Sequence, residues 1–385
     1  MRFPEFTGEW KKSTIGSLST KVGSGVTPRG GETVYKSEGH SFVRSQNVGW
    51  GHLQLDDIAF IDKETHLRQK NTELQLDDVL LNITGASIGR SALVNKQIAG
   101  GNVNQHVCII RTKDNLVPAF LCNFLLSNHG QKQIDSFQAG GNRQGLNFEQ
   151  IRSIKITIPS TKEQTKIATL LHLIDERIAT QNKIIEDLKK LKSAIIDQLY
   201  SAIKGKGYSY RQIFEIVNER NKQLEYSNIL SASQEKGMVN REDLNLDIQF
   251  ERSNINTYKV VRKGDYVIHL RSFQGGYAFS DKIGVCSPAY TILRPNDLLE
   301  FRYLSYYFTS QKFIKSLIIV TYGIRDGRSI NVEEWLDMKT TIPQKEQQRH
   351  IVDTIRNIEK KIENEELYAS YLSKQKQYLL RQLFI

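Results

Sequence analysis

Cysteine is scarce in this chain of 385 residues. Cys108, Cys122 and Cys286 are odd in number, scattered, and never spaced as a Cys-x-x-Cys pair. That disfavours a disulfide framework and a zinc site, and it fits a reducing cytoplasm. Long apolar runs are missing too: none approaches the ~20 residues needed to cross a bilayer. Met1-Arg-Phe-Pro-Glu-Phe lacks the apolar stretch of a signal peptide. The expectation is a soluble, cytoplasmic protein with no membrane partner. Signatures of chemistry are also absent. There is no Gly-x-x-x-x-Gly-Lys-Ser/Thr phosphate loop, no His-Glu-x-x-His and no Gly-x-Gly-x-x-Gly. No catalytic residue and no metal ligand is expected.

Two short strings imitate functional motifs. Ser287-Pro-Ala-Tyr290 is similar to the Asn/Asp/Ser-Pro-Pro-Tyr string of amino-methyltransferases, but Ala289 stands where the second proline belongs. It aligns with Asn104-Gln-His-Val107 in the other half of the chain and reads as the lead-in to a strand. Asn82-Ile-Thr84 matches a glycosylation acceptor, which is empty in a cytosolic protein.

What is present begins with charge. Lys and Arg number 53 against 42 Asp and Glu, a net +11. Such a surplus points to a polyanionic partner, nucleic acid ahead of membrane, with a merely basic soluble protein as the alternative.

The most informative feature is an internal repeat. Ile167, Leu171, Ile174, Ile178, Leu188, Ile195 and Leu199 match Ile351, Ile355, Ile358, Ile362, Leu372, Leu379 and Leu383, each 184 residues further on. The apolar spacing alternates four and three, the period of a coiled-coil seam. Its polar breaks repeat as well, Gln181 with Glu365 and Lys192 with Lys376. The flanking segments repeat more loosely. Asp78-Val-Leu-Leu-Asn82 is similar to Asp265-Tyr-Val-Ile-His269, and Cys108-Ile-Ile-Arg111 to Thr291-Ile-Leu-Arg294. Phe120, Phe124, Tyr307 and Phe308 have helical spacing and read as core. The halves agree in apolar pattern and differ in polar loops, as one scaffold carrying two surfaces would.

The first long helix is expected from Ser160-Thr-Lys-Glu163, which has capping-box spacing, to about Ile203, before Lys204-Gly-Lys-Gly207. Roughly forty residues at ~1.5 Å each make a rod on the order of 60 Å. The second follows Pro343. The economical arrangement is an antiparallel intramolecular pair with an approximate two-fold axis. Separate docking of each stripe onto its own head is the alternative. A two-fold protein on DNA reads two half-sites, so diverged heads imply a bipartite, asymmetric target.

This order resembles the specificity subunit of type I restriction–modification systems, over essentially the whole chain. The similarity lies in Ile158-Pro-x-x-x-Glu163-Gln164 and Ile342-Pro-x-x-Glu346-Gln347, the second one residue shorter, with Gly25-Val-Thr27-Pro28 and Thr84-Gly-Ala-Ser-Ile-Gly-Arg90. The second head lacks a good Gly-x-Thr-Pro equivalent. The resemblance implies an α/β protein with two pseudo-two-fold-related target-recognition domains and two long antiparallel coiled-coil helices. Residues 1–158 would be the first recognition domain, 159–204 the central helix, 205–342 the second domain and 343–385 the C-terminal helix. It further implies a subunit without chemistry of its own on double-stranded DNA. Two methyltransferase (modification) subunits would carry S-adenosylmethionine, and two restriction (motor-nuclease) subunits, where present, would use ATP and Mg. A stand-alone DNA methyltransferase and a coiled-coil scaffold without sequence-specific binding are the competing classes.

Base edges are read by Arg, amide and hydroxyl side chains on loops, often beside glycine. The candidates in the first head are Thr27, Arg29, Arg44, Gln46, Asn47, Ser87, Arg90, Asn142 and Arg143. In the second head they are Arg271, Ser272, Gln274, Arg325 and Arg328, with Asp326 an alternative partner for the last two.

Overall fold

A computed structural model of the chain describes residues 2–138, 145–233, 236–244, 252–269, 276–322 and 329–384. Two compact units make up the chain, Met1–Asn182 with Leu367–Ile385, and Lys183–Glu366. The division cuts both long helices, Thr161–Ser201 and Lys345–Gln382, so each unit owns a head and half of each helix.

In the first unit a four-stranded antiparallel sheet runs in the order Ser19–Ser24, Val107–Thr112, Val79–Asn82, Ser91–Leu93. Strand side chains alternate between faces, and both faces here are covered. Val79, Leu81, Cys108 and Ile110 join one core cluster, and Leu80, Val107 and Ile109 join another. The buried Phe120 and Phe124, from the helix Pro118–Leu126, belong to the first cluster, as the sequence pattern implied. A smaller sheet, Ala59–Ile61, His40–Val43 and Asn102–Val103, flanks this scaffold. Lys11–Thr14 pairs with Lys155–Ile158, which leads through Pro159 into the first long helix.

The second unit repeats this plan. Its four-stranded antiparallel sheet runs Phe214–Val217, Thr291–Pro295, Tyr266–Ile268, Tyr277–Phe279. Tyr266, Ile268 and Leu293 face one cluster, and Val267 and Ile292 face the other. Lys206–Ser209 pairs with Lys339–Ile342, which leads through Pro343 into the second long helix. This core is more aromatic: Tyr210 stacks on Trp335 with centroids 4.2 Å apart and planes 3° from parallel. Phe308 is buried in it, and Tyr307 packs half-buried against it.

Within each unit the two helix halves run antiparallel. In the first, Lys376 pairs with Asp175 at 2.5 Å, and Arg177 Nε donates to the Tyr368 hydroxyl at 3.0 Å. In the second, Lys192 meets Glu359 at 3.3 Å and Lys189 meets Glu366 at 2.7 Å. Pairing and docking onto the heads coexist. Ile167, Leu171, Ile174, Leu379 and Leu383 join the first head's core, while Ile351 and Ile355 join the second's. Ile362 and Leu372 are also buried.

Part of the predicted seam is corrected. Ile178, Leu188, Ile195, Leu199 and Ile358 are only half-buried, whereas Ile185, Ile196 and Tyr200 are buried. Ile196 and Tyr200 are buried because they join the second head's core, where the Tyr200 hydroxyl donates to the Tyr303 carbonyl and its ring lies 5.4 Å from that of Tyr303.

The helix starts also differ from their reading. The Glu163 amide donates to Ser160 Oγ at 3.4 Å, but the Glu163 carboxylate accepts from Arg2 Nε and Nη2 at 2.7 and 2.8 Å, leaving half a capping box. Buried Gln164 is a latch. It accepts from the Val117 amide at 2.8 Å and donates to the carbonyls of Asn115 and Pro159. Its counterpart is Gln348 and not Gln347. Gln348 accepts from the Glu300 amide at 2.8 Å and donates to the carbonyls of Leu298 and Pro343. Gln347 is exposed. Counted from each proline, the two helix starts therefore share one length.

Candidate nucleic-acid interface

The strand pairing decides which loops meet. Ser24 pairs with Cys108, and Val107 with Asn82. The end of the first strand, the start of the second and the end of the third therefore lie at one edge of the sheet. Three loops leave from that edge: 25–30, 83–90 and 104–106.

Gly25 begins the first. A Cβ there would fall 1.6 Å from the Val103 carbonyl oxygen, so only glycine lets this loop cross the neighbouring backbone. Thr27 is half-buried, and its amide donates to Gln105 Oε1 at 3.2 Å. Arg29, beyond Pro28, is exposed. The second loop turns at Gly85, with φ +69°, into the 3-10 turn Gly85–Ser87. Ser87 and Arg90 are half-buried, and Arg90 is tied by its backbone to Asn82 and Ser87. Thr84 bridges Gly145 and shares a 2.6 Å hydrogen bond with His106 Nδ1.

Arg44, Gln46 and Asn47 surround the turn Ser45–Asn47, held to the same sheet edge by Asn82 Nδ2 donating to the Ser45 carbonyl at 2.8 Å. Asp57 organises all three. Asn47 Nδ2 donates to Asp57 Oδ1 at 3.0 Å, Gln46 Nε2 donates to Asp57 Oδ2, and Arg44 Nη2 donates to the Asp57 carbonyl at 2.7 Å. Arg44 also lies 5.5 Å from the Tyr35 ring centroid. Asn47 is corrected: it has no exposed surface, and its amide also closes the turn on the Arg44 amide and the Gln54 carbonyl. It shapes the loop and cannot reach a base. Exposed Gln46 and partly exposed Arg44 remain at the surface. Asp57, Gln105 and His106 join these loops through side-chain contacts that local sequence does not announce, apart from Asn104-Gln-His-Val standing just before the strand Val107–Thr112.

Asn142 and Arg143 lie outside the described residues. So do Arg271, Ser272, Gln274, Arg325 and Arg328. In the second unit Val217 pairs with Ile292, and Thr291 with Ile268, so loops leave from the corresponding edge there. The Ser287–Tyr290 segment is a turn leading into Thr291–Pro295, with the Tyr290 amide donating to the Ser287 carbonyl at 3.1 Å. Among the described residues no His, Cys, Asp or Glu group could hold a metal, and no helix is long and apolar enough to cross a membrane.

The architecture is that of a two-headed α/β protein built on a shared pair of long helices. The family described as "type I restriction modification DNA specificity domain" matches residues 7–190. The specificity subunit of the type I restriction enzyme EcoKI from Escherichia coli K12 is 21% identical over 95% of this chain and 84% of its own length. A chain solved in work on assembly and conformational transition of a type I restriction–modification system covers 98% of this chain and 97% of its own, at 14% identity and TM-score 0.63. The HsdS subunit of Thermoanaerobacter tengcongensis also covers 98% and 97%, at 15% identity and TM-score 0.52. Residues 7–190 match that family's domain, and over nearly its whole length the chain is similar to specificity subunits of type I restriction–modification systems.

Proposed function

We propose that this chain reads a bipartite, asymmetric DNA site, one half-site per unit, and contributes no chemistry of its own. The observation that carries the reading is the repeated sheet. Both units send loops from the same edge of the same four-stranded scaffold, and those loops differ in sequence. A scaffold repeated with different loops suits two unlike half-sites. The net charge of +11 suits a polyanion, and phosphate contacts make such binding weaken as salt rises.

The partners are two modification subunits that hold S-adenosylmethionine and methylate adenine. Restriction subunits driven by ATP and Mg join in the full assembly, and the complex works in the cytoplasm. Leu173, Tyr368, Tyr371 and Tyr378 expose apolar surface on the helix halves of the first unit, which suits a protein partner. Mapping methylated adenines in cells that carry the modification subunit, with and without this chain, tests the proposal. Methylation at one bipartite sequence only when the chain is present supports it. Methyl transfer by the purified chain alone would favour a stand-alone methyltransferase, and salt-insensitive or absent binding to duplex DNA would favour a scaffold.

A further inference from the structure

The turn before the second sheet strand is built alike in both units and furnished differently. In the first unit the His106 amide donates to Asn104 Oδ1 at 3.0 Å, and the Val107 amide to the Asn104 carbonyl at 3.4 Å. In the second, the Ala289 amide donates to Ser287 Oγ at 3.3 Å, and the Tyr290 amide to the Ser287 carbonyl at 3.1 Å. Between these shared bonds the first unit carries Gln105 and His106, and the second carries Pro288 and Ala289. Backbone geometry does not demand the amide and the imidazole, since proline and alanine serve in the same place.

The donors in the first unit run in one direction. A backbone N–H can only donate, so the Thr27 amide fixes which end of Gln105 is its oxygen, at 3.2 Å. Gln105 Nε2 then donates to His106 Nε2 at 3.5 Å, which places the ring proton on Nδ1, donating to Thr84 Oγ1 at 2.6 Å. Gln105 is exposed. Among the described residues its amide keeps one N–H and one oxygen lone pair without a partner, while Thr27 and His106 hold its two ends. Among base edges in the major groove, adenine offers the complementary pair, an N7 acceptor beside an N6 donor.

Resting on the DNA-reading function proposed above, we propose that Gln105 is a base-reading residue of the first unit, specific for an adenine of its half-site and oriented by Thr27 and His106.

The test uses the complete complex with its modification subunits. Methylated sites are mapped for the native chain, Gln105→Ala, Gln105→Glu and Pro288→Ala, and duplex binding is measured alongside. Gln105→Ala should make one adenine position of the first half-site degenerate and leave the second half-site unchanged. Affinity for the native site should fall by roughly ten- to a hundredfold, the worth of one bidentate base contact. Gln105→Glu keeps the acceptor for Thr27 but loses the donor for N7, and should discriminate against adenine. Pro288→Ala should change neither half-site. Native stringency in Gln105→Ala would overturn the proposal, as would failure of both Gln105 variants to assemble, which would mark a structural residue. A native complex that methylates no bipartite sequence would instead sink the underlying function.

Discussion

Arg111 grips Asp78 through Nε and Nη2, each 2.8 Å from a different carboxylate oxygen. Arg294 holds Asp265 in the same way in the second unit, at 2.9 and 2.9 Å. Each aspartate also caps a turn, accepting from the amide three residues earlier, Gln75 at 2.7 Å and Arg262 at 2.8 Å. The arginines are 183 residues apart and the aspartates 187, so the pair persists across a change in intervening loop length. Asp78 and Asp265 are almost fully buried, while the hydrogen bond to its aspartate raises each guanidinium pKa above the ordinary value.

Removing either arginine would strand a buried carboxylate. Arg111→Ala and Arg294→Ala should each cost about 3 kcal/mol, the lower end for a broken buried pair because solvent reaches the guanidinium. Denaturant unfolding measures this. A loss below about 0.5 kcal/mol, the range of ordinary surface substitutions, would show that the pair does not hold the sheet.

The glutamine latch gives a sharper contrast. Gln164→Ala and Gln348→Ala each leave one amide and two carbonyls without their partner, at about 1–3 kcal/mol per buried unsatisfied group. Gln347→Ala should stay within about 0.5 kcal/mol, as exposed positions do. Equal losses at Gln347 and Gln348 would contradict the assigned register.

The three buried thiols should be chemically silent. Burial pushes Cys108 and Cys286 up to about 12 and Cys122 up to about 11, so little thiolate exists at pH 8. A thiol reagent should label none of them in the native chain and all three after unfolding. Above pH ~8.5, where an exposed thiol ionises, the unfolded chain binds fewer protons than the folded one, so stability should decline. Rapid native labelling at pH 8 would place at least one thiol at the surface.

Neighbouring positions on the second long helix separate burial from exposure. Leu372 is 6% exposed and Tyr371 is 56% exposed. Leu372→Asp should cost at least about 3 kcal/mol, through lost packing and a buried charge. Tyr371→Asp should leave thermal stability within about 0.5 kcal/mol. Similar midpoints for the two variants would rule out the buried seam.

Repetition was legible because apolar spacing is local and each copy corroborates the other. The strand Val79–Asn82 and the two long helices lie where that pattern puts them. Three features were not legible. Ile196 and Tyr200 are buried in place of Ile195 and Leu199 because the second head packs on them, and a helix's own apolar period does not show where a head will dock. Gln347 imitated Gln348 because matching a two-letter string ignores which side chain reaches a carbonyl 50 residues away. Asn47 has the residue type and loop setting of a base reader, whereas its side chain is spent on the Gln54 carbonyl and on Asp57, seven and ten residues further on. A loop residue's role is set by tertiary partners, and its local sequence does not name them.

The most direct measurement exchanges one head. Residues 1–157 are replaced by the first head of a related specificity subunit, and methylated adenines are mapped in cells carrying the modification subunits. If each unit reads its own half-site, one half of the recognised sequence changes while the other half and the spacer persist. A folded, active exchange that altered both half-sites together would contradict independent reading.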